Sequence, residues 1–170
     1  MSELLWKPME NFRDFLKLGQ AGFTIRLPAD KYFPIAVKKT QTVTLSAKMG
    51  PIGWTHDKAH TAKYGPGGTG GAVGQPQYFP RPYLPVGALI GGYDTAHHDV
   101  QMDLPTWTRV FCNPPTNFQP VDFGATEHRF NPPISGYLYL IMNDALYYPG
   151  NPSGVFDNEG EIEVFIRIED

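Results

Sequence analysis

The sequence predicts an all-β protein, an antiparallel β-sandwich with a short N-terminal helix and long loops. Its 18 glycines and 17 prolines are spread along the chain, and 14% of its residues are aromatic. Glycine and proline interrupt long helices, whereas aromatic side chains pack well on a pleated sheet. Strand-like segments also outnumber helical ones without a regular alternation of the two, which favours an antiparallel sandwich over a parallel α/β fold.

One segment near the N-terminus is predicted to be helical. Residues 9–18 place Phe12, Phe15 and Leu16 at the i, i+3 and i+4 positions of one helix face. Gly19 follows as a residue that commonly ends a helix. A helix this short needs to pack against the rest of the protein, because short isolated helices are marginal in water.

Six segments have the composition or the alternation of β-strands. They comprise residues 23–27, 40–47, 86–91, 107–111, 136–142 and 160–169. Segment 136–142 is apolar on both faces, which predicts a strand in the centre of a sheet. The last segment alternates between apolar and polar residues, as on a strand with one buried face. Gly50 and Pro51 are expected to end the second strand, and residues 52–85 to form a long folded loop.

The charge pattern argues against two kinds of partner. The net charge is −3 and the longest basic run is Lys38-Lys39, so binding to nucleic acid is not expected. No apolar run is long enough for a membrane span, and the N-terminal residues do not resemble a signal peptide. We therefore expect a protein of the cytoplasm, or one exported without a cleaved signal peptide. The single cysteine, Cys112, excludes an intrachain disulfide.

The segment between the last two predicted strands is rich in oxygen-bearing side chains. Within residues 143–154 these belong to Asn143, Asp144, Asn151 and Ser153. Hard cations such as Ca²⁺ bind about six to eight oxygens, drawn from carboxylates, amides and backbone carbonyls. The same residue types are also common in turns, so a turn-rich connector without a bound ion is the alternative.

The same segment carries a motif. Residues 141–144 are Ile-Met-Asn-Asp and, after five residues, residues 150–154 are Gly-Asn-Pro-Ser-Gly. Three further pieces precede it: the strand at residues 42–47 followed by Trp54, Lys-Tyr-Gly-Pro-Gly-Gly at residues 63–68, and Gly-Ala-Leu-Ile at residues 87–90. In their order and spacing these four pieces resemble the PA-I-like galactose-binding lectins, which are small calcium-dependent β-sandwich proteins.

The resemblance covers about residues 40–169. It implies a galactose-binding-like sandwich as a single domain over residues 1–170, with residues 1–39 as an N-terminal extension. It also implies a calcium-dependent lectin, not an enzyme, that binds galactose or a related sugar at the loop between the last two strands. Such lectins rely on several sites per assembly, so a homo-oligomer is expected.

The resemblance assigns site residues at five positions. Ca²⁺ would be held by the side chains of Asp144 and Asn151, by the backbone carbonyl of Tyr148 and by a backbone carbonyl of the loop near Asp57 or Lys58. The sugar-contacting residues would be Gln77, Asp144, Tyr148 and Asn151.

Two positions depart from the pattern of the family. Pro152 stands where the family has a second calcium-binding Asn, and the family's sugar-contacting His falls near Gly74. These departures favour an alternative function, a structural or assembly subunit with a lectin-like fold and a degenerate sugar site.

The histidines raise a further hypothesis, a zinc site. His56 and His60 are four residues apart, and His97 and His98 follow Asp94 closely. The glycines and proline around the first pair do not fit a helix that would bring both rings together, and catalytic zinc usually needs three protein ligands. We expect loop histidines instead, and the sequence has no Gly-x-Ser-x-Gly motif of a hydrolase.

Overall fold

A computed structural model describes residues 7–9, 22–57, 62–69, 78–145 and 157–170 of the chain. Two β-sheets contribute side chains to one hydrophobic core. This arrangement confirms the predicted all-β sandwich of mainly antiparallel strands. Apart from Met9, the predicted helix at residues 9–18 lies outside the described residues.

The first sheet consists, in spatial order, of β1 (Lys7–Pro8), β3 (Lys31–Val37), β8 (Gly136–Met142), β5 (Leu89–Asp94) and β6 (Val121–Asp122). β1 is parallel to β3, and the other neighbours are antiparallel. β8 lies in the middle, and its residues from Leu138 to Met142 are buried. The central strand predicted from two apolar faces is therefore confirmed.

The second sheet consists, in spatial order, of β2 (Phe23–Pro28), β9 (Glu159–Glu169), β4 (Thr42–Thr55) and β7 (His128–Phe130), all antiparallel. β9 shows the expected alternation, since Ile162, Val164 and Ile166 are fully buried and the residues between them are partly exposed. The segment expected to be an N-terminal extension thus supplies strands to both sheets, β1 and β3 to the first and β2 to the second.

β4 continues past Gly50 and Pro51, where the sequence predicted its end. Its register against β9 shifts between Lys48 and Gly53, and pairing then resumes through Thr55. Gly50 and Gly53 have φ angles of 70° and 74°, in the left-handed region that glycine adopts without strain. The glycines therefore bend the strand as a bulge instead of ending it.

The predicted strand at residues 107–111 is wrong, because this segment is helical. A short helix α1 (Leu104–Trp107) continues into a π-helical turn (Thr108–Cys112), which a 3₁₀ turn (Thr116–Phe118) follows. The buried apolar residues of the helical segment are Trp107, Val110 and Phe111. Their i, i+3, i+4 spacing is that of one helix face, whereas a strand would bury every second residue.

β3 is a strand that the sequence pattern did not predict, because Pro34 lies in its middle. Proline donates no backbone hydrogen bond and is tolerated mainly at sheet edges. β1 pairs with β3 only at Lys31 and Tyr32, so within the described ranges one edge of β3 has no strand beside Pro34. β5 begins and ends three residues later than the predicted 86–91.

The helices in the part of the chain that the structure describes lack the length and apolar character needed to cross a membrane.

Candidate cation site

The candidate site lies where the end of β8 meets the start of β9. Past β8 the chain stays paired, because the Asn143 N–H donates to the Ala88 carbonyl at 2.7 Å and the Gly87 N–H donates to the Asn143 carbonyl at 2.9 Å. On the second sheet, Thr55 at the end of β4 pairs with Glu159 at the start of β9. Both sheets therefore hold their strand ends firmly on either side of the site.

Asn143 is a structural residue whose side-chain amide is already used. Its Oδ1 accepts a hydrogen bond from the Arg81 N–H at 3.1 Å, and its Nδ2 donates to the carbonyls of Arg81 at 3.0 Å and Pro85 at 3.2 Å. The side chain is fully buried. The composition of the loop suggested the Asn143 amide as a cation ligand. The amide instead holds the segment before β5 and so fixes the backbone where Asp144 begins.

The Asp144 carboxyl group is buried, and only one of its two oxygens is hydrogen-bonded. Asp144 is 7% exposed. Its Oδ1 accepts a hydrogen bond from the Ala145 N–H at 2.8 Å, whereas its Oδ2 has no partner among the described residues. Such an oxygen has lost water without gaining a donor or a positive charge, which costs free energy. Oδ2 therefore marks a position where a proton or a cation would stabilise the fold.

Asn158 presents a second buried oxygen of the same kind. It is 6% exposed, and its Nδ2 donates to the Ala29 carbonyl at 3.0 Å. Its Oδ1 is buried without a hydrogen-bond partner within the described ranges, and its side chain interacts with Asp144. A hydrogen bond from its side-chain amide lowers the pKa of Asp144, so these two residues, at the two ends of the loop between β8 and β9, lie close together.

The electrostatics of this pair disfavour ionisation of Asp144. Burial raises the pKa of its carboxyl group to about 8. The Ala145 N–H and the Asn158 side chain oppose this rise, while the carboxylates of Asp157 and Asp57 repel the ionised form and raise the pKa further. We call the group of Asp57, Asp144, Asp157 and Asn158 the Asp144 site. A cation that binds there near neutral pH would displace a proton.

Tyr64 fixes the chain next to Asp57. Its hydroxyl accepts a hydrogen bond from the His56 N–H at 2.8 Å and lies 2.7 Å from His56 Nδ1. The Tyr64 ring packs on Gly87, where an added Cβ would clash with the ring. Burial and the Asp144 carboxylate raise the pKa of Tyr64, which indicates that the ring lies near the Asp144 site.

Carboxylates alone do not complete a metal site. In the described ranges no three His, Cys, Asp or Glu side chains are grouped so that they could hold a metal ion. Amide and carbonyl oxygens would have to complete the coordination, as they commonly do for Ca²⁺. The donors of the Asp144 site are all oxygens, which suits a hard cation better than zinc or copper.

Two of the five site residues taken from the resemblance are described. Asp144 and Asp57 interact electrostatically across the site. The Asp57 carbonyl also accepts a hydrogen bond from Thr55 Oγ1 at 3.2 Å. The residues that lie outside the described ranges are Gln77, Tyr148 and Asn151.

Asp157 and Asn158 are site residues that the sequence pattern missed. The composition of residues 157–160 predicts a turn, because Asp, Asn and Gly are common in turns. The one available signal is position, since Asn158 immediately precedes β9 and closes the loop that Asp144 opens.

The histidines that the structure describes are not grouped into a zinc site. His98 Nε2 lies 2.6 Å from Asp94 Oδ2, and Arg109 Nη1 donates to the same oxygen at 2.7 Å. A tyrosine hydroxyl engages His56, and His60 lies outside the described residues. Within the described part of the chain, these rings take part in packing and hydrogen bonding without forming a metal-binding group.

Comparisons with known proteins find no relative of this chain. A scan against protein-family models, a search of curated proteins and a search of solved structures each find no match to this chain. The resemblance to the PA-I-like lectins therefore depends on the sequence motifs.

Proposed function

We propose that the protein is a calcium-dependent carbohydrate-binding lectin that holds Ca²⁺ at the Asp144 site and binds galactose or a related sugar there. The observation that carries this proposal is the buried, unpartnered Oδ2 of Asp144. It belongs to the residue that the motif between the last two strands assigns to calcium.

A divalent cation would remove the electrostatic cost of the Asp144 site. Burial and the carboxylates of Asp157 and Asp57 oppose the ionised form of Asp144. A bound positive charge reverses this balance, because it attracts all three carboxylates at once. By the resemblance, Tyr148 and Asn151 would supply further oxygens.

Sugar binding would use the ion and the surrounding oxygens together. Neighbouring hydroxyls of a galactose-like sugar would take coordination positions on the ion in place of water, and would donate hydrogen bonds to carboxylate or amide oxygens. By the resemblance, Gln77, Tyr148 and Asn151 would contact the sugar beside Asp144. The affinity of one such site would be modest, so a homo-oligomer would strengthen binding to surfaces that carry several sugars.

Retention on immobilised galactose tests the proposal. The wild-type protein is expected to be retained in calcium and released by a chelator, and Asp144→Asn is expected to pass through. Asp103→Asn is the matched control, because Asp103 accepts the capping hydrogen bond of Thr106 at α1 and Asn caps helices equally well. Retention that persists in chelator, or in Asp144→Asn, would contradict the proposal. A glycan array in calcium would then identify the preferred sugar.

The second candidate function is a structural or assembly subunit with a lectin-like fold. The pKa of about 8 favours it, because a proton can then satisfy Asp144 near neutral pH without an ion. Pro152, which stands at a ligand position of the motif, favours it as well. The melting temperature of such a subunit would be the same in calcium and in chelator.

A further inference from the structure

We propose that an open cleft at the end of the sandwich where β5 ends binds a hexuronate, an acidic sugar whose carboxylate would pair with Lys39. The cleft has a volume of about 590 Å³, which is within the range of small-molecule sites. Ser135, which lines it, precedes β8, whereas Asp144 follows β8. Because β8 spans seven residues, its two ends lie about 20 Å apart. The cleft is therefore separate from the Asp144 site.

Lys39 gives the cleft its charge. Among the described residues that line the cleft, Lys39 is the one with a charged side chain. None of the salt bridges between described residues uses its ammonium group. The whole chain has a net charge of −3, so a cleft lined by a lysine and by no described carboxylate is a local exception. Charge complementarity favours an anion there.

The polar groups around Lys39 favour a sugar as the body of this anion. Ser135 Oγ accepts a hydrogen bond from the Lys39 N–H at 3.1 Å, and the hydroxyl can donate its own hydrogen to a ligand. Asn117 and Gln119 add two amides to the lining. Amides and hydroxyls can both donate to and accept from the hydroxyls of a sugar. The alkyl chain of a fatty acid would leave them without such partners.

The cleft also has an apolar surface. Phe118, Pro133 and Ile134 line it. Phe118 is partly buried against the hydrophobic core, and Ile134 is only 5% exposed. Aromatic and aliphatic side chains pack on the C–H groups of a sugar ring. A pyranose with a carboxylate therefore matches the charge, the amides and the apolar surface of the cleft.

Hydrogen bonds hold two walls of the cleft in place. In the turn that carries Lys39, the Gln41 N–H donates to the Lys38 carbonyl at 3.0 Å, and the Lys38 N–H donates to Gln41 Oε1 at 2.8 Å. In the 3₁₀ turn, the Phe118 N–H donates to the Pro115 carbonyl at 2.8 Å. Walls that are formed before a ligand arrives reduce the entropy lost on binding.

An NMR titration in chelator and at low ionic strength tests the proposal, since calcium is then absent from the Asp144 site. The probes are methyl β-D-glucuronide and methyl β-D-glucoside, which differ only in a carboxylate that replaces a hydroxymethyl group. Wild type is expected to bind the glucuronide saturably, with the largest backbone amide shifts at Asn117, Phe118 and Ser135. It should bind the glucoside about tenfold more weakly, because the charge-assisted hydrogen bond to Lys39 is lost.

Substitutions of the lysine test its contact with the carboxylate. Lys39→Met is expected to bind the glucuronide about tenfold more weakly and the glucoside as wild type does. Lys39→Arg keeps the charge and should stay within about threefold of wild type for both sugars. Both variants retain the backbone N–H that Ser135 accepts. Lys38→Met is the matched control, because it removes a charge of the same turn outside the described lining, and it should also stay within about threefold.

Four results would overturn the proposal. These are an absence of saturable shifts with the glucuronide, shifts centred on the Asp144 site, and equal losses of affinity in Lys39→Met and Lys38→Met. The fourth concerns acetate as a third probe: if acetate binds as tightly as the glucuronide and is weakened as much by Lys39→Met, the cleft recognises a carboxylate without a sugar. Calcium is absent throughout, so these results leave the proposed function of the Asp144 site unaffected.

Discussion

Two buried aspartates lie at opposite ends of the same pair of strands, and they differ in their partners. Asp94 ends β5, where it pairs with Tyr137 of β8, whereas Asp144 follows the other end of β8. Their exposures are similar, 5% for Asp94 and 7% for Asp144. Asp144 nevertheless lies deeper among protein atoms, so burial raises the pKa of its carboxyl group more than that of Asp94.

The partners of the two carboxyl groups widen the difference between their pKa values. Burial acts to raise the pKa of Asp94, but hydrogen bonds from His98, Arg109 and the Ala96 N–H outweigh it, so the net pKa is lowered. Asp144 receives no such cationic partner among the described residues, and its neighbours Asp57 and Asp157 carry the same charge. The Asp94 carboxylate therefore has compensating partners, whereas the Asp144 carboxyl group has none with a positive charge among the described residues.

The largest expected contrast is between Asp94→Asn and Asp144→Asn in chelator at pH 7. Asp94→Asn removes the carboxylate charge that both His98 and Arg109 contact, and should therefore lower the free energy of unfolding. The loss should be limited to about 2 kcal/mol, because Arg109 can still turn to water. The melting temperature should fall by roughly 4–8 °C. Asp144→Asn should leave it unchanged or raise it, because a neutral amide replaces a carboxyl group whose ionisation is already disfavoured by burial and by neighbouring carboxylates. Equal losses in thermal unfolding would refute the comparison.

The pH dependence of stability should also differ between the two ends. The raised pKa of Asp144 means that the folded state binds its proton more tightly than the unfolded state does, so in chelator stability should fall as pH rises from about 4 to about 8. The lowered pKa of Asp94 acts in the opposite sense, and its contribution should be lost as pH falls below about 4. Melting temperatures measured across this range should show the fall toward pH 8 in wild type and a much smaller one in Asp144→Asn. A fall of equal size in both proteins would show that another titratable group causes the loss of stability.

The smallest expected effect concerns the tyrosine beside the Asp144 site. Tyr64→Phe removes the hydroxyl that engages His56 and should cost about 1 kcal/mol of stability and weaken calcium binding a few-fold, because Asp57 is then less well held. Tyr83→Phe is the matched control, since its exposed hydroxyl donates to Asp122 at 2.7 Å and its loss should cost less than about 0.5 kcal/mol. Equal calcium affinities in the two variants would show that Tyr64 does not support the site.

Part of the fold could be predicted because some strands carry a complete local pattern. β8 is apolar on both faces, and β9 alternates along most of its length. Other elements depend on distant partners. Pro34 obscures β3 in the sequence, because its tolerance depends on which strands lie beside it, and on one side no described strand does. Gly50 bends β4 instead of ending it, because β9 resumes pairing beyond the bulge. Such pairings are not encoded in the local sequence.

The residues of the Asp144 site also differ in how far the local sequence reveals them. Asp144 could be singled out because it follows an unambiguous strand within a motif of fixed spacing. Asn158 could not, because its orientation depends on a hydrogen bond to Ala29, 129 residues away in the chain. Asn143 has the composition of a ligand, but the backbone groups that use its amide become visible only in the folded protein.

Calorimetric titration of calcium at pH 7, repeated in two buffers of different ionisation enthalpy, measures directly whether Asp144 exchanges a proton for a cation. We predict saturable binding by wild type with about one proton released per ion, because a pKa of about 8 leaves the free carboxyl group mostly protonated. Asp144→Asn should give no such binding. An absence of saturable heat in wild type, or the same binding and proton release in Asp144→Asn, would contradict a cation at Asp144.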